Sequence, residues 1–313
     1  NMKHRAIGLG VMGYQDALYK LDINFESEEN LKFADESMEM ISYYAINASS
    51  DLAKERGSYE SYQGSKWSRG IFPYDTLSIL ENERGQSLKV DKRMSMNWDA
   101  LKEKVNKQGM RNSNTMAIAP TATIANIAGV YPCTEPAYKN IYMKENLSGN
   151  FIVINDHLID SLSEIGLWNQ DTLNQIKIDN GSLSKILEIP EHIRNKYKEV
   201  FEIDSEWVIK SAARRSKWID QSASTNIFLS TTSGKLLNDT YTMAWEYGLK
   251  TTYYLRSLGA TQIQKMTVQT NSASKSPEKE TIAATTVATK PIQTTIPEVP
   301  VCKLNDPSCE ACQ

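Results

Sequence analysis

Cysteine is scarce in this 313-residue sequence: there are four, and three of them lie within the last dozen residues. So few thiols in so long a chain exclude a disulfide-stapled scaffold. The cluster at the end points instead to redox or metal chemistry, whereas Cys133 stands alone and is expected to be a buried side chain.

Long apolar runs and clustered basic residues are also lacking. No window approaches the ~18 consecutive apolar residues of a membrane span, and residues 1–10 lack the apolar core of a signal peptide. The formal net charge is −3, and Lys and Arg are spread along the chain, so a nucleic-acid partner is not expected. With 40% hydrophobic residues the chain can build a core. We expect a globular cytoplasmic protein that binds neither membrane nor nucleic acid.

The spacing of apolar residues predicts helices that alternate with short strands, which is typical of an α/β fold. One helix is expected to begin after the N-cap Asn97 and to end at Gly109. Residues 59–93 show no clear periodicity and are predicted to form loops and short elements. Helices are predicted at 14–23, 27–57, 97–109, 157–168, 189–201, 205–224 and 233–250, and strands at 116–119, 151–155 and 249–258.

The composition changes near residue 266, where Thr, Ser, Pro, Lys and Glu replace large apolar residues. Such a segment is typical of a disordered linker. We therefore divide the chain into a folded part (1–265), a flexible linker (266–300) and a cysteine tail (301–313). The 43 residues from 266 to 308 give a flexible chain a reach of roughly 35–40 Å. A dithiol at the end of such a chain would serve as a mobile electron carrier.

The tail cysteines Cys302, Cys309 and Cys312 allow two interpretations. Thiolates two residues apart form half of many zinc sites, but a fourth ligand is missing, since the histidines lie elsewhere, at His4, His157 and His192. A Cys-x-x-Cys pair also forms a disulfide readily and exchanges it by thiolate attack. The redox interpretation needs no further ligand, so it is favoured and no metal site is assigned.

The glycines Gly8, Gly10 and Gly13 match the spacing of a dinucleotide-binding loop. That loop must follow a strand, and only seven residues precede it here. We reject the motif and expect these glycines to allow close packing of the backbone.

Two further stretches could carry chemistry. Thr121, Ala122, Thr123 and Ile124 follow a predicted strand and open a possible helix, where backbone N–H groups and hydroxyls can cradle phosphate, although Ser and Thr also cap ordinary helices. Tyr253 and Tyr254 are adjacent in a predicted strand, where side chains normally alternate between the two faces. A redox role would require both rings to stack, and hence an irregular backbone.

Five separate blocks of this sequence resemble the C-terminal part of the large, catalytic subunit of class I ribonucleotide reductase, of the bacterial and phage type. They occur in that family's order and extend nearly from end to end of the chain. The blocks are NMKHRAIGLGVMGYQDALYKL, RNSNTMAIAPTATIANIAGVYPCTEPAYKNIY, KWIDQSASTNIFL, GLKTTYYLRSLGAT and CEACQ.

The resemblance implies a fold, an activity and roles for residues. The fold is the C-terminal portion of a ten-stranded α/β barrel, followed by the disordered tail, and the activity is radical-based reduction of ribonucleoside diphosphates. Thr121–Ile124 would hold the substrate's phosphates, and Tyr253 and Tyr254 would relay an electron and a proton from the radical-generating small subunit. Cys309 and Cys312 would reduce the active-site disulfide and be reduced in turn by thioredoxin or glutaredoxin. Cys302 receives no role.

Other parts of the family's machinery have no counterpart in this sequence. In the family the radical cysteine, the two thiols that reduce substrate, their neighbouring Glu and Asn, and the regulatory nucleotide sites all precede the stretch present here. We therefore expect a split subunit or an excerpt that needs the N-terminal part of the large subunit. The chain is expected to bind no cofactor directly and to depend on the metal and radical cofactor of the small subunit. The alternative is a non-catalytic module that only binds the small subunit.

Overall fold

The structure of this chain is a computed structural model, and it describes residues 1–146 and 149–258. The predicted linker (266–300) and the predicted cysteine tail (301–313) lie outside the described residues. Within the described part, no helix has the length and apolar character that crossing a membrane requires.

Four extended segments run parallel to one another. Leu9 forms a bridge with Met116, and Ile118 forms one with Ala223. Further along, residues 227–229 pair in parallel with residues 255–257. Parallel neighbours need crossover connections, and helices occupy each of these connections. This arrangement confirms the predicted α/β architecture.

The helices and strands have the following bounds. The helices are α1 (Tyr14–Lys20), α2 (Glu28–Arg56), α3 (Asp75–Arg84), α4 (Trp98–Gln108), α5 (Ala122–Ala128), α6 (Asp156–Glu164), α7 (Gln170–Ile178), α8 (Glu191–Lys196), α9 (Ser205–Ser216) and α10 (Gly234–Glu246). The strands are β1 (Ile141–Asn146), β2 (Gly149–Ile154), β3 (Ile227–Leu229) and β4 (Leu255–Ser257).

The termini of α2 and α4 follow the capping rules on which their prediction depended. The Asn97 side chain accepts a hydrogen bond from the Ala100 N–H at 3.1 Å, and α4 ends at Gly109. Gly57 ends α2 in the same way, with φ of 79°. Positive φ is open to glycine without a steric penalty, so both helices end where the sequence supplies one.

Several predicted elements are shorter in the structure, and the helix at 205–224 and the strand at 249–258 differ most in kind. The helix predicted at 205–224 ends at Ser216, because the following residues form the third parallel segment. There the Ile118 N–H donates to the Ser222 carbonyl at 3.2 Å, and the Ser224 N–H donates to the Ile118 carbonyl at 2.8 Å. Pairing with a neighbour thus overrides helical periodicity. Of the strand predicted at 249–258, only β4 is regular.

Four elements were not predicted, and β3 is one of them. Helix α3 lies in the region assigned to loops, and Leu77 is its only fully buried hydrophobic residue, so it lacks a clear apolar stripe. Helix α7 follows the N-cap Asn169. Strand β1 pairs antiparallel with β2, the strand predicted at 151–155.

The early glycines act in packing, as the sequence analysis proposed. The Leu9 N–H donates to the Thr115 carbonyl at 2.8 Å, and the Ala117 N–H donates to the Leu9 carbonyl at 3.0 Å. A Cβ atom at Gly10 would overlap the carbonyl oxygen of Ala117. The close approach of the first two parallel segments therefore requires glycine at this position.

Two buried indole rings join α4 to the residues after α9. Trp98 and Trp218 stack with their centroids 5.3 Å apart and their planes 5° apart. Each indole N–H donates to a carboxylate on α2: Trp98 to Glu39 at 2.8 Å and Trp218 to Asp35 at 2.7 Å. Helix α2 therefore fixes both rings by directional bonds as well as by packing.

Glu39 lies at the centre of a small buried network. Its carboxylate accepts hydrogen bonds from the Ser95 N–H at 2.7 Å, the Ser95 hydroxyl at 2.6 Å and the Met96 N–H at 2.9 Å, in addition to Trp98. Three of the partners are N–H groups that can only donate and the fourth is a hydroxyl, so this set favours the ionised carboxylate.

We expect Glu39→Gln to lower the free energy of unfolding by about 2–4 kcal/mol. The four neighbouring groups donate to the carboxylate, whereas the glutamine amide has one accepting oxygen and an NH2 group that itself donates. Urea denaturation of the chain measures this change. The matched control is Glu36→Gln on the same helix, where an exposed carboxylate lies 3.9 Å from Lys32. That change should cost less than about 0.5 kcal/mol. Equal effects of the two substitutions would contradict the network's role.

The same carboxylate should make stability depend on pH. Burial opposes ionisation of Glu39, but the hydrogen bonds from Ser95, Met96 and Trp98 outweigh it, so the pKa of Glu39 lies below its ordinary 4.5. A lowered folded pKa contributes stability that is complete above the unfolded pKa and is lost as pH falls through the folded one. The difference in unfolding free energy between the wild type and Glu39→Gln should therefore shrink as pH falls below about 4.5. A constant difference across that range would argue against this linkage.

Candidate functional site

The candidate site has two parts: the turn at Thr121–Ile124 follows the second parallel segment, and Tyr253 and Tyr254 directly precede β4. Ligands of parallel α/β sheets bind beyond the carboxyl ends of the strands. Thr121 follows the segment that contains Met116 and Ile118. A cavity of about 650 Å³ lies instead beside residues that precede the segments, including Asn114 and Lys250. Burial lowers the pKa of Lys250 to about 8, but no residue predicted to bind substrate or relay electrons lines this cavity.

The first turn of α5 presents backbone donors to solvent. Thr121 precedes the helix in a left-handed conformation with φ of 52°. The first backbone bond of the helix runs from the Ala125 N–H to the Thr121 carbonyl at 2.9 Å. The N–H groups of Ala122, Thr123 and Ile124 therefore have no acceptor within the helix. All three residues are exposed, so these N–H groups are available to an anion.

Thr121 does not cap its own helix, because its side chain serves another segment. The Thr121 hydroxyl oxygen accepts a hydrogen bond from the Cys133 N–H at 2.7 Å. Cys133 is buried, as the sequence analysis expected, and its φ of 55° is unusual for a side chain with a Cβ atom. Its thiol donates to the Ser224 carbonyl at 3.4 Å. Burial, with a smaller contribution from Glu135, raises the pKa of this thiol. Cys133 is therefore a structural thiol that stays protonated at neutral pH.

Glu135, two residues later, connects the same loop to the third parallel segment. Its carboxylate accepts a hydrogen bond from the Asn226 N–H at 3.3 Å. Burial raises the pKa of Glu135, while hydrogen bonds from Asn226 and the charges of Arg256 and Arg215 lower it in part. The carboxylate is thus half-buried and held by specific donors.

The two tyrosine rings lie against each other. The ring centroids of Tyr253 and Tyr254 are 4.1 Å apart, with an angle of 49° between the planes. The Tyr253 hydroxyl donates to the Tyr254 hydroxyl at 3.3 Å, and this bond raises the pKa of Tyr253. About half of each side chain is exposed, at 48% and 51%. The two phenols form a contact that other molecules can reach.

An extra residue in the backbone explains how adjacent side chains meet. The Tyr253 N–H donates to the Thr225 carbonyl at 2.8 Å, and the Ile227 N–H donates to the Tyr254 carbonyl at 2.8 Å. In a regular parallel ladder one and the same residue would make both bonds. Here Tyr253 and Tyr254 together stand opposite Asn226, which is a β-bulge. The bulge breaks the alternation of side chains, so both rings reach the same side.

Sequence reasoning missed the residues that connect these parts. Neither Glu135 nor Asn226 received a role, although both lie in blocks that carried the resemblance. Asn226 directly precedes the apolar run of β3, and asparagine is depleted in strands, so its position was a usable signal. Glu135 lies in a loop without periodicity, and only the structure reveals its partner.

The predicted redox cysteines Cys309 and Cys312, together with Cys302, lie outside the described residues. Their assignment stays a prediction. So do the phosphate-binding role of Thr121–Ile124 and the relay role of the tyrosine pair. The loop that contains Cys133 and Glu135 connects the two places: Cys133 bonds to Thr121, and Glu135 bonds to Asn226 opposite the tyrosine pair.

The known proteins to which this chain is similar are large or alpha subunits of ribonucleotide reductases. A chlamydial relative, the ribonucleoside-diphosphate reductase subunit alpha of Chlamydia muridarum, is 48% identical and aligns with 100% of this chain but 30% of its own length. The ribonucleoside-diphosphate reductase large subunit of Trypanosoma brucei brucei is 40% identical over 90% of this chain and 34% of its own length. A solved structure, the class Id ribonucleotide reductase alpha subunit of Actinobacillus ureae, has a TM-score of 0.63 and 27% identity, and covers 83% of this chain and 40% of that one.

The chain thus spans about 30% of the length of its chlamydial relatives. The family described as "Ribonucleotide reductase, barrel domain" matches residues 1–255, most of the described part. On this match, and on relatives that align with the whole chain, the protein belongs to the ribonucleotide reductase barrel-domain family.

Proposed function

We propose that this chain is the C-terminal part of the catalytic barrel of a ribonucleoside-diphosphate reductase, which converts ribonucleoside diphosphates to deoxyribonucleoside diphosphates by radical chemistry. The observation that carries the proposal is the contact between Tyr253 and Tyr254, whose hydroxyl oxygens lie 3.3 Å apart at a bulge. Family membership and the names of the relatives support the same reaction.

The tyrosine pair would act as a relay. A radical on one phenol can take an electron and a proton from the other across the hydroxyl contact, so neither ring gains a net charge. The raised pKa of Tyr253 favours this route, because loss of the proton alone is disfavoured. The exposed half of each ring leaves access for the small subunit, whose metal and radical cofactor would start the transfer.

Residues Thr121–Ile124 would hold the substrate's diphosphate. The exposed N–H groups of Ala122, Thr123 and Ile124 point out of the first turn of α5, where donors favour negative charge. Because the Thr121 side chain is held by Cys133, the turn is ordered before an anion arrives. Binding would then not have to order this turn.

Cys309 and Cys312 would return electrons to the active site. After each turnover the pair would exchange with the active-site disulfide, and thioredoxin or glutaredoxin would reduce the pair. Each exchange breaks one disulfide and forms another, so the electrons are conserved. This role rests on sequence resemblance and on the spacing of the two thiols.

The remainder of the barrel would come from the N-terminal part of the large subunit. The parallel segments expose apolar side chains on the first one, at Ile7 and Leu9, and near the last one, at Leu255 and Leu258. Parallel sheets are normally covered on both faces. Further strands added at these segments would cover them and would supply the radical cysteine. We also infer a cytoplasmic location, where thioredoxin and glutaredoxin keep thiols reduced.

Tyr254→Phe is expected to reduce deoxynucleotide formation to background, because phenylalanine has no hydroxyl to exchange a proton with Tyr253. The assay combines the chain with the remainder of the large subunit, the small subunit and a dithiol reductant. The matched control is Tyr241→Phe on α10, an exposed tyrosine away from the pair, which should retain activity. Full activity of Tyr254→Phe would refute the relay. An assembly that binds the small subunit but never turns over would favour the non-catalytic module.

Cys309→Ser should abolish turnover when thioredoxin is the reductant and leave it largely intact with a small dithiol that enters the active site directly. The difference arises because thioredoxin must pass its electrons through the tail. Cys302→Ser, measured in parallel, should keep thioredoxin-dependent turnover, since a pair needs only Cys309 and Cys312. Equal loss with both reductants would contradict a carrier role for the tail.

A further inference from the structure

A bulge leaves backbone groups without their regular partners. The two bulged residues, Tyr253 and Tyr254, bring two N–H groups to a stretch of β3's segment that offers one carbonyl, that of Thr225. The Tyr253 N–H takes that carbonyl. The Tyr254 N–H is then left without a carbonyl acceptor in the ladder.

The side chain of Asn226 supplies that acceptor. Its Oδ1 atom accepts a hydrogen bond from the Tyr254 N–H at 3.0 Å. Asn226 is the residue that stands opposite the bulge, and it is 8% exposed. The side chain therefore replaces the ladder bond that the extra residue removes.

Glu135 holds the backbone of Asn226. A carboxylate can only accept hydrogen bonds, and that of Glu135 accepts one from the Asn226 backbone N–H at 3.3 Å. The Asn226 side chain also lowers the pKa of Glu135, as a donor close to the carboxylate does. Asn226 is therefore held by Glu135 while its Oδ1 accepts from Tyr254.

Arg256 also lies near the tyrosine rings, but it constrains the bulge less than Asn226 does. The Arg256 guanidinium lies 5.5 Å from the centroid of the Tyr254 ring, at the outer limit of a cation–π contact. It touches a ring face and leaves the backbone of the bulge free. Only the Asn226 side chain contacts the bulged N–H directly among the described residues.

We propose that Glu135 and Asn226 are positioning residues that hold the Tyr253–Tyr254 bulge in the geometry in which the two phenols touch. This inference rests on the proposed relay for its consequence in catalysis, but its structural content concerns the backbone alone. Glu135 acts through Asn226, Asn226 acts on the Tyr254 N–H, and neither touches the reacting phenol oxygens.

Hydrogen exchange tests the structural content on this chain without any turnover. Asn226→Leu keeps the side-chain size but removes the acceptor, so the Tyr254 amide should exchange at least about tenfold faster than in the wild type. Ser224→Ala is the matched control, two residues away on the same segment. Its buried hydroxyl has no hydrogen-bond partner in the described part of the chain, so exchange at Tyr254 should not change. Unchanged exchange in Asn226→Leu would overturn the proposal.

Exchanging the acid and the amide between positions 135 and 226 distinguishes a positioning role of the pair from simple misfolding of a single variant. Asn226→Asp sets a second carboxylate against Glu135 and should lose both amide protection and turnover, the latter by about 100-fold, as follows from a misplacement of about 1 Å. Adding Glu135→Gln returns a donor to face the introduced carboxylate, whose other oxygen can accept from Tyr254. The double variant should regain protection and most of the turnover. If it stays as impaired as the single variant, the pair does not position the bulge.

The kinetic pattern separates this proposal from the relay itself. In the assembled enzyme, Asn226→Asp should lower kcat and leave the KM for nucleoside diphosphate unchanged, because Thr121–Ile124 are untouched. If Tyr254→Phe is fully active, the relay is wrong, and the exchange experiments still decide whether Asn226 holds the bulge. If Tyr254→Phe is inactive while Asn226→Asp behaves as the wild type, only the positioning role fails.

Discussion

A partly buried carboxylate, that of Asp220, helps to hold the parallel segments of this chain in register. The segments pair over very few residues, and the described ladders alone supply few hydrogen bonds. Asp220 adds to them: it accepts from the Thr115 N–H and the Met116 N–H, both at 2.8 Å, and so ties the second segment to the start of the third. Burial raises the pKa of Asp220, and these N–H donors offset part of that cost. The register of the site therefore depends on a carboxylate that accepts two backbone N–H groups of the neighbouring segment.

The candidate site depends on that register through a single loop. Cys133 bonds to Thr121 at one end of the site, and Glu135 bonds to Asn226 at the other. This one loop thus connects the turn at Thr121–Ile124 to the tyrosine bulge, although Thr121 and Tyr254 lie 133 positions apart in the sequence. A shift of the third segment by one residue would move Asn226 away from both Glu135 and Tyr254. The arrangement couples the place where substrate would bind to the place where the radical would arrive.

Local signals were enough to predict part of this fold. Caps and glycines define α4 and the end of α2, because the interactions that end a helix lie within a few residues of it. The end of α9 could not be predicted in this way. Residues 217–224 continue its apolar spacing, but they pair with Ile118, far away in the sequence. Helix α3 was not predicted because its sequence has no apolar stripe: Leu77 is its only fully buried residue.

The tyrosine pair marks the limit of reading strands from sequence. A regular strand would send Tyr253 and Tyr254 to opposite faces, so a strand prediction argues against the contact that a relay needs. The extra residue of the bulge reverses this conclusion. The one sequence feature that indicates the bulge is Asn226, which lies on a different segment. At this bulge Asn226 supplies the bond that the ladder lacks. A departure from regular structure that needs its own dedicated partner would not persist as a neutral accident of packing, because losing that partner leaves a backbone N–H unpaired. The irregularity is therefore best understood as the feature that brings the two phenols together, and the regular strand β4 begins only after it, at Leu255.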